Sequence, residues 1–142
     1  MQRLLMLLVL SCGWMTACTG SETPSSSTPP SAAEWSKIGE MEAYTYYADH
    51  GSIRKTDETV TMSDLFDYKM AQMEGGIPSL SKITVREYDC QNHKTQPVKT
   101  TWYADQMGSG AARRTPGATG PLATSASGTA TAALMTIACG PS

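Results

Sequence analysis

The sequence predicts an α+β domain, an antiparallel β-sheet followed by one C-terminal helix. Three observations carry this prediction. Short runs of period two, rich in Tyr, Val, Ile and Thr, follow one another from Trp35 to Tyr103; no long helical pattern interrupts them; and helical spacing appears only after Thr129.

The chain opens with a different kind of segment. Arg3 gives a positive start, Leu4 to Leu10 form an apolar run, and Met15-Thr16-Ala17 before Cys18 resembles the lipobox of a bacterial lipoprotein signal. Residues 1–17 are therefore expected to be a cleaved signal, and Cys18 the lipidated first residue. Cys12, behind Val9-Leu10-Ser11, is the rival site, but it would leave an apolar region of only about 8 residues. A retained span needs roughly 20 apolar residues, and Ser11, Cys12 and Gly13 break the run. An ordinary secretory signal cut after Ala17 would want a small residue where Met15 stands. Residues 18–33, rich in Ser, Thr and Pro with Glu22 as the one charge, read as a tether. Residues 34–142 then suffice for one domain with a single core.

Within that domain Trp35 to Ile38 and Ala43 to Ala48 form the expected first strand pair, with Tyr44, Tyr46 and Tyr47 at positions typical of strands. Asp49-His50-Gly51-Ser52 reads as a turn. From Thr59 to Tyr68, Val60, Met62, Phe66 and Tyr68 share one parity, and Asp64 interrupts it, so the inner face is expected to end or bulge there. Lys69 to Pro78 reads as a connection whose first half is a short helix. Ser79 to Cys90 is the clearest strand, with Ile83 and Val85 on one face and Tyr88 and Cys90 on the other. Pro97 to Tyr103 follows, and Gly108-Ser109-Gly110 marks a turn. Thr115 to Gly128, dominated by Gly, Ala, Ser and Thr, has little to bury and reads as a loop. Ala130, Ala133, Leu134, Ile137 and Ala138 then fall at helical spacing, with Ser127 or Thr129 as cap and Gly140-Pro141 as stop. Such a helix lays Leu134 and Ile137 on the sheet.

With Cys18 lipidated and Cys12 removed, Cys90 and Cys139 remain, and an oxidising envelope compartment favours a disulfide between them. The loop it closes is worth roughly 4 kcal/mol in the chain-entropy account.

Trp35 with Ile38, Tyr46-Tyr47-Ala48-Asp49, Ser52-Ile53-Arg54, Val60-Thr61-Met62 leading to Asp67-Tyr68, Ser81-Lys82, Glu87-Tyr88-Asp89-Cys90, Met107-Gly108-Ser109-Gly110 and the terminal Leu134 to Cys139 stand in an order and spacing that resemble the bacterial surface-adhesin protein E family. The resemblance implies a compact α+β fold: a curved antiparallel sheet with a C-terminal helix joined to it by a disulfide, displayed from the cell envelope and often lipid-anchored. The chain departs from the family at Asp49-His50, where Asp-Pro is usual, and at Met62-Ser63-Asp64, where an aromatic residue is usual. It also lacks, between Thr115 and Ser127, the usual Trp and Pro-Gly-Ser turn.

Charge and motifs narrow the function. Loss of Arg3 with the signal leaves 10 basic residues against 13 acidic, a net of −3, which is no nucleic-acid signature. Arg113-Arg114, the one adjacent pair of arginines, reads as a solvated loop. Cys90 and His93 have half the spacing of a metal site, but a full site needs about four ligands. Met70 and Met73 offer soft thioethers, and read as flexible apolar filler. His50 and His93 are the only imidazoles, with no nucleophile elbow and no phosphate-binding glycine loop beside them. The expectation is therefore a binding module, not an enzyme, with no metal and no cofactor.

Its candidate contacts are Tyr44, Tyr46, Tyr47, Trp102 and Tyr103, at least half of which should instead belong to the core. The expected partners are a membrane, through the lipid, a protein ligand of the host or of the envelope, and a second copy in a homodimer, with no nucleic acid. The expected location is the bacterial cell envelope, lipid-anchored at the outer membrane and facing the periplasm or the exterior. The competing reading is a periplasmic enzyme or metal-binding lipoprotein using His50, His93 or the methionines.

Overall fold

The computed structural model of the protein describes residues 33–115 and 121–140. The expected signal, the lipidation site at Cys18 and nearly all of the tether lie outside the described residues, as does Pro141.

Seven strands form one antiparallel sheet: β1 (Trp35–Glu40), β2 (Tyr44–Lys55), β3 (Val60–Glu74), β4 (Ile77–Asp89), β5 (Lys94–Tyr103), β6 (Ala112–Thr115) and β7 (Ala123–Thr124). The first six lie side by side in chain order, and β7 pairs with β5 at Lys94 and Thr95, leaving β6 the end of β5 near Tyr103. One helix, α1 (Ala130–Cys139), ends the chain. Its start is a side-chain cap: Thr129 Oγ1 accepts a hydrogen bond from the Ala132 N–H at 3.2 Å. Its end is Gly140, at φ 79°.

The helix covers one face of the sheet. Leu134, Met135, Ala130 and Ala138 are buried there against Tyr46, Ala48, Val60, Met62 and Tyr88, while Ile137 is only half-buried at the margin. The Cys90–Cys139 disulfide, with Cα atoms 5.8 Å apart, ties the last turn of α1 to the end of β4. Gly39 explains the tight entry of β1: a Cβ there would lie 2.6 Å from Cζ of Tyr46, so the tyrosine ring packs directly on the glycine.

Three expectations are corrected. Asp49-His50-Gly51-Ser52 does not end a strand. Asp49 pairs with Ser63 and Arg54 with Thr61, so β2 bulges outward between them and continues to Lys55. The polar side chains that suggested a turn satisfy the bulge: Asp49 Oδ1 accepts from the Gly51 N–H at 3.0 Å, and Ser52 Oγ accepts from the Ser63 N–H at 2.8 Å.

Lys69 to Pro78 holds no helix either. β3 and β4 run on as a hairpin to Glu74 and Ile77, closed by Gly75 and Gly76 at φ 58° and 78°. Two positive-φ residues are what a two-residue turn between twisted strands requires.

Asp64, thirdly, neither ends nor bulges the inner face. It pairs in register with Ala48 and Thr84 and is fully buried. The bulge of β3 comes later, between Asp67 and Gln72. The stretch read as a featureless loop contains the short β7, and its residues 116–120 are outside those described.

Candidate binding surface

Cross-strand register sorts the candidate aromatic residues. Tyr46 lies opposite Phe66, Phe66 opposite Lys82 and Lys82 opposite Trp102, which places them all on the helix-bearing face, with Tyr44 opposite Tyr68 in the next row. Tyr47, opposite Leu65, and Tyr103, opposite Ser81, point to the other face. The five therefore do not form one patch. Tyr46 is buried in the core, and Tyr44, Tyr47, Trp102 and Tyr103 are half-buried.

On the helix-bearing face the rings form a cluster continuous with the core under α1. Tyr44 meets Phe66 at 4.9 Å between ring centres and Tyr68 at 5.8 Å, and Tyr68 stacks on Trp102 at 6.0 Å. Lys82 Nζ stands over three of these rings, 4.9 Å from Phe66, 5.2 Å from Trp102 and 5.8 Å from Tyr68. The rings supply cation–π attraction in place of water. Burial still holds the Lys82 ammonium below its ordinary value, partly offset by the charge of Asp64.

Beneath this cluster Asp64 Oδ2 accepts from Arg86 Nε at 2.9 Å, in a pair whose side chains are 0% and 13% exposed. Asp64 Oδ1 and the Tyr88 hydroxyl have no hydrogen-bond partner among the described residues. Burial pushes the Asp64 carboxyl up against the pull of Arg86, and pushes the Tyr88 phenol up as well. Tyr68 is pushed up to about 12, again chiefly by burial. This is a charged seam inside an aromatic face. Its sequence signals were the break in parity at Asp64 and the Ser81-Lys82 pair of the family resemblance, while Arg86 occupies an ordinary alternating position that gave none.

The opposite face is closed at one end by a 3-10 turn (Gln106–Gly108), anchored by the Met107 N–H donating to Asp67 Oδ1 at 2.8 Å and the Gly108 N–H donating to Ser81 Oγ at 2.9 Å. Gly108, at φ 69°, sits so close to Ile83 that a Cβ would lie 2.7 Å from its Cδ1.

The two histidines are apart. His50 is exposed on β2; His93, in the β4–β5 turn at φ 53°, lines an open cavity of about 590 Å³ with Cys90, Ser125, Met135, Thr136 and Cys139. With both cysteines in the disulfide, neither offers a thiolate to a metal. Among the described residues no cluster of three or more His, Cys, Asp or Glu could hold a metal ion, and no helix is long and apolar enough to cross a membrane.

A single open sheet, covered on part of one face by a terminal helix that a disulfide holds in place, defines a class of small disulfide-stapled α+β domain. Its half-buried aromatic rows give the two sheet faces their character. The family model of surface-adhesin protein E matches residues 35–140, and the chain belongs to that family. Among solved structures, crystal form II of Haemophilus influenzae protein E is similar with a TM-score of 0.57 and 16% identity, over 76% of this chain and 95% of that one. The structure of protein E from non-typeable Haemophilus influenzae gives 0.55 and 18%, over 78% and 80%. At these identities the likeness is one of fold. No curated protein matches the chain.

Proposed function

We propose that the protein is an adhesin-like binding module of the bacterial cell envelope, lipid-anchored at the outer membrane through Cys18, and that it acts by holding another protein and not by catalysis. The observation that carries this reading is the family match, which spans the whole described domain from β1 to the end of α1. The tether supports it. The sixteen residues from Cys18 to Ala33, rich in Ser, Thr and Pro, have the composition of a tether between such a lipid and the domain. The ligand class this reading gives it is a host protein, of matrix or plasma, or another protein of the envelope.

The test has two parts. Cells given a fatty-acid analogue should label the wild type and C12A but not C18A; label retained by C18A and lost from C12A puts the lipid on the other cysteine. Surface plasmon resonance with immobilised matrix and plasma proteins should show binding by the full chain that survives H50A/H93A. Binding or activity lost in that folded double variant would make the histidines functional and overturn the reading.

A further inference from the structure

A cation taken part-way out of water is ordinarily matched by a carboxylate. Two on the helix-bearing face are not. Register places Phe66, Lys82, Trp102 and Arg113 side by side in one row across β3 to β6, so the indole stands between the two cations, and Lys82, Trp102 and Arg113 are each half-buried. Lys82 Nζ has no hydrogen-bond or ion-pair partner among the described residues. It has the three rings for company, and Asp64, whose carboxylate is already bonded to Arg86. Arg113, expected in a solvated loop, lies on β6, and Nη2 donates to a main-chain acceptor, Glu74 O, at 2.6 Å. Among the described residues no carboxylate stands within ion-pair range of it. The charged groups gathered on this part of the face, Lys82, Arg86 and Arg113 against Asp64 and Glu74, are three against two and leave one positive charge in excess.

Hydroxyls flank this row. Thr84, Thr100 and Thr115 form the next row on the same face, with Thr84 Oγ1 and Thr100 Oγ1 3.3 Å apart; Thr84 is buried, and Thr100 and Thr115 are half-buried. The main chain offers a ligand nothing here, because β3 to β6 spend their amides and carbonyls on one another. A ligand lying on this face is therefore held by side chains alone: anionic groups at Lys82 and Arg113, an apolar ring face at Trp102, and hydroxyls at Thr100 and Thr115. A sugar ring meets that demand, with C–H groups on its face and hydroxyls round its edge. A peptide would bring amides and carbonyls for which a paired sheet has no main-chain partners. Lys82 and Arg113 are also two strands apart, about 10 Å along the row. That is the scale on which acidic groups recur along a chain of alternating charged and neutral sugars.

We propose that the row Lys82–Trp102–Arg113 binds an acidic polysaccharide in which uronate and neutral sugars alternate. One neutral ring lies on the Trp102 indole, its two uronate neighbours bring carboxylates to Lys82 and Arg113, and Thr100 and Thr115 bond ring hydroxyls. Each carboxylate supplies the counter-charge that the fold itself withholds. This ligand is additional to the protein partner proposed above, and its site stands whether or not the chain is anchored.

The test is isothermal titration of the full chain, at low salt, with a hexasaccharide of alternating glucuronate and N-acetylglucosamine. A neutral hexamer of N-acetylglucosamine should bind about tenfold more weakly or worse. K82M and R113M should each cost about tenfold with the acidic chain and leave the neutral one unchanged, while K82R and R113K keep most of the affinity. Salt at about 1 M should weaken the acidic chain about tenfold. Methionine keeps the apolar stem of either side chain, so near-ultraviolet circular dichroism of both variants should match the wild type. If K82M loses that signal, R113M decides, since Arg113 bonds only a carbonyl at the hairpin tip among the described residues. No binding of the acidic chain, equal affinity for the two sugars, or wild-type affinity in the folded methionine variants would overturn the proposal. Hexaglutamate binding as tightly as the acidic sugar would also overturn it, by making the row a site for acidic peptide.

Discussion

Removing the Cys90–Cys139 bridge should cost the domain about 4 kcal/mol. The bridge joins residues 49 apart in sequence. In the chain-entropy account a loop of that size removes about 14 cal/mol/K from the unfolded chain, or about 4 kcal/mol at room temperature. A domain of roughly 100 residues has an unfolding entropy near 0.2 kcal/mol/K, so the C90A/C139A variant should melt about 15–20 °C lower. The loss is concentrated in α1. A ten-residue helix does not persist alone in water, and here its docking rests on Ala130, Leu134, Met135 and Ala138 plus the bridge. The assay is calorimetry of oxidised wild type and C90A/C139A, with urea unfolding followed by near-ultraviolet circular dichroism, which reports the packing of Tyr46 and Tyr88 under the helix. A loss below about 1 kcal/mol with the aromatic signal intact would refute the reasoning, because the unfolded chain would then gain little freedom from the cut.

Arg86→Met should destabilise by about 3–5 kcal/mol in urea titrations, since it leaves the fully buried Asp64 carboxylate without its partner. Adding Asp64→Leu should recover most of that loss, and a double variant no better than R86M would show that the pair was not the cause. In R86M the deficit should shrink as the pH falls, because the buried carboxyl, already pushed up by burial, sheds its charge on protonation. At alkaline pH, Tyr68 at about 12 and Tyr88 higher still favour the neutral phenol in the folded state. Their contribution is complete below about pH 10 and is lost as the pH rises toward 12, because the unfolded chain ionises first. Ultraviolet difference spectra of single Tyr→Phe variants should show Tyr68 and Tyr88 ionising only as the fold is lost; ionisation of either near pH 10 in a native domain would contradict the burial argument.

Where structure follows from neighbours along the chain, the sequence alone determined it. The alternation through Val60, Met62, Phe66 and Tyr68 specified an inner face, and the helical spacing from Ala130 with Thr129 before it and Gly140 after it specified α1 with its cap and stop. Cys90 and Cys139, the two cysteines within the domain, specified the bridge on the expectation of an oxidising compartment. What the tertiary structure decided are the places where a residue's partner lies across the sheet. Asp49 to Ser52 has the composition of a turn, yet the Ser63 N–H on β3 donates to Ser52 Oγ and holds the segment as a bulge. Lys69 to Glu74 has helix-tolerant composition, yet pairing of Gln72 to Glu74 with β4 draws it into a hairpin that outruns β2. Asp64 breaks the apolar pattern, yet Arg86 on β4 makes its burial tolerable. The division of Tyr44, Tyr46 and Trp102 from Tyr47 and Tyr103 follows the same logic. Strand register assigns each side chain to a face, and a bulge of one residue reverses that assignment, so the surface a partner meets is fixed only when the strands have paired.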